Sequence, residues 1–329
     1  MPESRDPDAK PGLDWRGSLL VLSGLGGLAY GLIALPVSGW RDPITLVSLI
    51  GGLLLLVAFV YAESRSRAPM LPLSLFQSRT FSAVNLLTLL LYAAVGGVFF
   101  FLPFAMIQVH GYPATLAGTA FLPFTIIMAA LSRWAGGLLD RFGARLPLTI
   151  GPAIAALGIG LIALTVTNGS YWEFLISIAV LGFGMVVSVA PLTATVIDAV
   201  PTHETGVASG INNAVASVAN LLAIAILGAV ALSLLDHALA QNLQSPTLSE
   251  GVKHAIQAAR GQLVIEPALN DVQGADRADA ALILRESLAK SIRWVMLIAA
   301  AVALGATAAG ALIPRATRGD RGSGNPRSR

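Results

Sequence analysis

Two groups of residues in this sequence have types and spacings that could do chemistry. The first is Ser132-Arg133-Trp134-Ala135-Gly136-Gly137-Leu138-Leu139-Asp140-Arg141-Phe142-Gly143-Ala144-Arg145, a polar break between two long apolar runs. Gly136 and Gly143 would permit close helix approach and a tight turn. The Asp140 carboxylate suits the first turn of the next helix, where the dipole favours an anion. Arg141 and Arg145 suit head-group phosphates or paired carboxylates. The same residues would also make an ordinary basic loop that only fixes topology. The second group is polar but not ionisable near neutral pH: Asn85, Thr88, Tyr92, Thr193, Thr195, Asn212, Asn213, Ser217 and Asn220, all inside apolar runs. Such side chains either face a cavity that receives a small molecule or hydrogen-bond one helix to another.

Neither group makes or breaks covalent bonds. His110, His203, His237 and His254 lack metal-ligand spacing, and no nucleophile elbow, Walker loop or dinucleotide fingerprint is present. The absence of cysteine excludes disulfides and thiolate chemistry. No catalytic residue, cofactor or metal site is therefore assigned. Coupling to protons calls for a titratable group at membrane depth, yet Glu63, Asp140, Glu173, Asp198 and Asp236 all fall at the ends of apolar runs.

The elements that must position these residues are membrane spans. With 55% hydrophobic and 12% charged residues in 329, the chain is too apolar for an ordinary soluble domain. Eight runs are each long enough to cross about 30 Å of hydrocarbon as a helix. They are Gly17 to Pro36, Pro43 to Ala62, Ala83 to Ile107, Ala114 to Gly136, Leu146 to Val166, Trp172 to Ile197, Gly206 to Leu235 and Ile292 to Ile313. Residues 1–16 form a polar lead-in, and 63–82 an interfacial segment with a short helix around Leu71-Pro72-Leu73-Ser74-Leu75-Phe76. Residues 236–291 form a long polar loop whose final part, with Glu286 and Lys290 four apart, extends the last helix into water. Residues 314–329 form a polar, disordered tail. Ser170 and Glu173 make a capping box. Pairs such as Gly27 with Gly31, Gly182 with Gly184 and Gly206 with Gly210 predict close helix packing.

Trp15, Trp40, Trp134, Trp172 and Trp294 all stand at run ends, where indole prefers the head-group region. Short loops on the face shared by both termini hold most of the basic residues, whereas those on the other face hold only Arg41. Both termini are expected in the cytoplasm, the protein in the plasma membrane among lipids, and the net charge of +3 is topological rather than a nucleic-acid footprint.

Gly136-x-Leu138-x-Asp140-Arg141-x-Gly143-x-Arg145 resembles the signature loop of the major facilitator superfamily, with Ala144 standing where that family prefers a base. Ala190-Pro191-Leu192-Thr193 through Val200-Pro201 and Gly206-Val-Ala-Ser-Gly210-Ile-Asn212-Asn213 are similar to the fourteen-span drug:proton antiporter branch. Ser217 and Asn220 depart from the Arg and Gly often found there. The resemblance implies an all-α fold of about eight transmembrane helices: two linker spans over 17–62, then a six-helix half over 83–313 built from inverted three-helix repeats. It implies a gating role for Gly136, Asp140, Arg141, Gly143 and Arg145. The first, second, fourth and fifth helices of the half would line a cavity. The implied activity is proton-coupled efflux of amphipathic small molecules, as the carboxyl-terminal part of a pump. On this reading Met1 is an internal start or a truncation point, the amino-terminal six helices are missing, and the chain alone is inactive. A membrane scaffold that pairs with another transporter half is the alternative, and an integral membrane enzyme is a third.

Overall fold

In a computed structural model, residues 15–38, 41–65, 73–245, 248–270 and 272–314 are described, and every regular element among them is helical. The reason is solvation. Hydrocarbon offers no hydrogen bonds to the backbone, so each crossing segment must satisfy its own peptide groups. The helices are α1 (Trp15–Ser38), α2 (Pro43–Arg65), α3 (Arg79–Phe104), α4 (Ala114–Thr119), α5 (Leu122–Gly136), α6 (Leu138–Phe142), α7 (Arg145–Asn168), α8 (Tyr171–Asp198), α9 (Thr205–Leu243), α10 (Glu250–Ala259) and α11 (Gly274–Ala311). A 3₁₀ turn over Leu73–Gln77 precedes α3, and a π-helical turn over Ala105–Val109 follows it.

Among the described residues, seven segments are long and apolar enough to cross a membrane: α2, α3 with its π turn, α4–α5 together, α7, α8, α9 and α11. The eighth expected span corresponds to α1, whose 24 residues reach about 36 Å. Residues 1–14 and 315–329, and Trp40, lie outside the described residues.

Caps start several of these helices where side-chain oxygens meet orphan N–H groups. Asp42 Oδ2 accepts both the Thr45 N–H (2.8 Å) and the Thr45 hydroxyl (2.7 Å). The Thr45 hydroxyl, then its N–H, hold the Asp42 carboxyl below the usual range. Ser78 accepts the Phe81 N–H, Ser249 accepts that of Val252, and Glu173 accepts that of Ser170 at 2.7 Å.

The core of the six-helix set joins α3, α7, α8, α9 and α11 around fully buried Phe81, Phe101, Phe174, Leu87 and Ile159. α7 lies between α8 and α11, α3 packs on both α9 and α11, and α5 leans on α8 with most of its surface exposed. Glycine sets the closest approach. A Cβ on Gly151 of α7 would lie 3.0 Å from the Gly184 carbonyl oxygen of α8. Gly182, two residues before it, turns instead toward Phe124 of α5. Gly27 of α1 likewise faces Gly52 of α2 across an antiparallel hairpin. The Gly206 and Gly210 pair departs from expectation, because nothing lies within 4 Å of where their Cβ atoms would sit. That side of α9 carries no neighbour.

α9 and α11 reach into the 236–291 segment, ending at Leu243 and beginning at Gly274. Trp294 therefore sits well inside α11 rather than at its end. It is exposed, at the depth where the apolar part of that helix begins. Between the two helices, α10 turns Val252, Ala255, Ile256 and Ala259 into the core.

Candidate functional site

The polar residues inside the spans separate into two environments. Asn85 and Thr88 are one turn apart on α3 and therefore share a face. Both are buried, because α9 lies across them. The Asn212 Nδ2 group of α9 donates to Thr88 Oγ1 at 2.7 Å and to Asn85 Oδ1 at 3.2 Å. Asn85 Nδ2 donates in turn to the Phe81 carbonyl, and the Thr88 hydroxyl to that of Val84. These three expected cavity residues thus form a helix-to-helix clasp instead of facing open space. Two turns further along, Asn220 occupies the volume a Cβ on Gly96 would need, continuing the same seam. Tyr92 is half-buried on α3.

Thr193, Asn213 and Ser217 are exposed. Thr193 lies five residues before the end of α8, about 7 Å along its axis, and Asn213 eight residues after the start of α9, about 12 Å. The two helices are joined by residues 199–204, so these hydroxyl and amide groups stand at similar depths from one end of the bundle. Asn213 and Ser217 share a face of α9 with the uncovered Gly206 and Gly210. The Thr193 hydroxyl donates to the Val189 carbonyl and that of Ser217 to the Asn213 carbonyl. The Asn213 side-chain amide offers two donors and an acceptor at that surface. Thr195 is buried, and its hydroxyl donates to the Pro191 carbonyl at 2.6 Å.

The loop at that same end is built from α6. Gly143 terminates α6 with φ +72° and ψ 175°, a region open in practice only to glycine. An L side chain there costs about 1–3 kcal/mol. The turn expected at Gly143 is thus present. The close approach expected at Gly136 is absent, since nothing lies within 4 Å of its Cβ position. The reason is that α5 leans mainly on α8 and Gly136 falls on its exposed side. Asp140 and Arg141 are exposed in α6, and Arg145 opens α7.

The opposite end holds contacts that pattern alone does not reveal. The π turn after Pro103 aims Gln108 at the 244–273 segment, where its Oε1 accepts the Ile265 N–H. His110 follows at once. Its Nε2 lies 3.0 Å from the Val166 carbonyl at the end of α7, so that nitrogen carries the proton. The ring stacks on Tyr112 and meets Phe174 edge-on. Burial pushes the His110 pKa down, and the Val166 hydrogen bond opposes that shift. Asp236 accepts the Gly261 N–H at 2.8 Å, closing the same end. At this end the Asp42 cap also carries a local signal, Asp, then Pro at the first helical position, then Thr, as the Ser170–Glu173 box does. No group of His, Asp and Glu able to hold a metal occurs among the described residues.

A family model described as the Major Facilitator Superfamily matches residues 15–224. The chain is 27% identical over 296 residues to the multidrug resistance protein Stp of Mycobacterium tuberculosis, covering 88% of this chain and 54% of that protein. It is 31% identical over 292 residues to the puromycin resistance protein of Streptomyces alboniger, covering 85% of this chain and 58% of that protein. The chain thus spans about half the length of the curated relatives it matches. Among solved structures, a bacterial homologue of the human lysosomal transporter Spinster, inward-facing and occupied, superposes with a TM-score of 0.52 at 18% identity. That alignment covers 89% of this chain and 65% of the other, a likeness of fold.

Proposed function

Because the chain belongs to the Major Facilitator Superfamily, we propose that it exports amphipathic, drug-like small molecules across the plasma membrane. It does so as one six-helix bundle working against a second. Homologues named for multidrug and puromycin resistance support the substrate class. The observation that carries the reading is the exposed polar face of α9 bearing Asn213 and Ser217, with Gly206 and Gly210 uncovered beside them and exposed Thr193 of α8 at a similar depth. Amides facing lipid are unfavourable. The same groups facing another bundle across an aqueous cavity are a binding surface.

The proposal includes fourteen-span architecture, with α1 and α2 as the linker pair and both termini cytoplasmic. It also includes proton coupling, with the coupling carboxylate on the opposing bundle, since the acids of this chain stand near the ends of its apolar runs. The loop from Gly136 to Arg145 acts as the gate at the cytoplasmic end. In proteoliposomes with an imposed pH gradient, the purified 329-residue chain alone should export no ethidium. Activity should appear only when a six-helix amino-terminal half is co-reconstituted. Proton-driven export by the chain alone would overturn the two-bundle reading.

A further inference from the structure

The α1–α2 hairpin meets the six-helix set along α1 and α9, while α2 and α9 diverge. The divergence leaves an apolar groove of about 450 Å³. Leu28 of α1 forms its floor, Leu49 and Leu53 of α2 one wall, and Ala225, Ala229 and Val230 of α9 the other. No polar side chain lines it. Leu49 and Leu53 lie six and ten residues below Pro43, about 9–15 Å from that end of α2, which is hydrocarbon depth for a spanning helix.

Water has no partners in such a groove, and a void there forfeits dispersion contacts along all three walls. The small side chains at 225 and 229 keep it open. Beyond its upper end, before the start of α2, stands exposed Arg41, with Pro43 about 9 Å along the axis above Leu49. A guanidinium one head-group length above an acyl-sized groove is complementary to a phosphate esterified to hydrocarbon.

We propose that this groove is a phospholipid site, with one acyl chain seated between α2 and α9 and the phosphate at Arg41. The lipid continues the α1–α9 seam and fills the angle that the protein leaves open. The inference depends on the membrane-spanning fold and not on the transport reading.

A phosphatidylglycerol carrying a diazirine on its acyl chain tests the site on the unaltered chain in lipid nanodiscs. Adducts should concentrate on residues 49–53 and 225–230, and the yield should fall in Arg41→Gln. Native mass spectrometry of the detergent-purified protein should show one retained phospholipid. It should be lost in the groove-filling Ala229→Trp and kept in Leu164→Trp, a change on the exposed face of α7. Because Ala229→Trp could disturb folding, the crosslinking map of the unaltered chain decides independently. Adducts spread evenly over the exposed helix faces would overturn the proposal. Displacement of the lipid label by excess ethidium would overturn it too, and would assign the groove to transported compounds.

Discussion

Asn212 and Asn213 are neighbours in sequence and opposites in environment. The side chain of Asn212 donates two hydrogen bonds into α3, whereas that of Asn213 faces outward. Interhelical hydrogen bonds in membranes average about 0.6 kcal/mol and reach about 1.7 kcal/mol, less than desolvation alone would suggest. Asn212→Ala should therefore lower the stability of the purified protein by about 1 kcal/mol in a reversible denaturant titration in detergent micelles. Asn213→Ala should leave stability unchanged and reduce drug efflux in the two-bundle transporter. A destabilised Asn213→Ala, or efflux indifferent to it, would return that residue to the structural set. Sequence singled out both asparagines but could not separate them. One residue is a rotation of 100° on a helix, and in a run apolar on every side no hydrophobic stripe says which way is in.

The ends of the helices contrast with their middles. Where α3 gives way through its π turn, His110 ties that end to α7 while buried against Tyr112 and Phe174. Its pKa is lower in the folded protein than in the unfolded chain, so unfolding takes up protons. The stability it contributes is complete above the ordinary histidine value of about 6.5 and is lost as pH falls below it toward the depressed folded value. The protection of residues 105–112 against hydrogen exchange, after correction for the intrinsic pH dependence of the exchange rate, should therefore fall as the buffer is taken below about pH 6.5. His110→Gln, which keeps a donor for Val166 without titrating, should flatten that dependence. An equal loss of protection in both proteins would assign the pH effect to another group. Span lengths were readable because bilayer thickness sets them, and the Ser170–Glu173 cap because its chemistry is local. The extension of α11 into water was readable from Glu286 and Lys290 four apart, but the reach of α9 past the bilayer was hidden. Once a helix leaves hydrocarbon, hydropathy no longer marks its end, and the folding of α10 back onto the bundle depends on contacts distant in sequence.

At the scale of the whole molecule the unequal covering of helices is the dominant fact. α7 and α8 are half-buried or more within their apolar windows, but α4–α5 and α2 are almost bare. Topology ties this distribution to the membrane. With no native cysteine, single substitutions report sidedness cleanly. Ser64→Cys and Thr202→Cys should react with a membrane-impermeant maleimide only from the cytoplasm, and Gln257→Cys only from outside. Ser64 and Thr202 labelling from opposite faces would refute the even number of crossings. The fold class and the order of spans followed from composition and spacing. The free face of α9 did not, because a side with no neighbour leaves no trace in a sequence that is apolar throughout.

The seating of α1 on α9 also has a consequence in time. The hairpin is complete when residue 65 has been made, but its seat ends near Val230, some 165 residues later. At synthesis rates of about 5–20 residues per second the interval is roughly 8–33 s. For that period α1 and α2 lack their seat on α9 and are held to each other at Gly27 and Gly52. The seating of α1 and α2 thus waits on a helix made well after them.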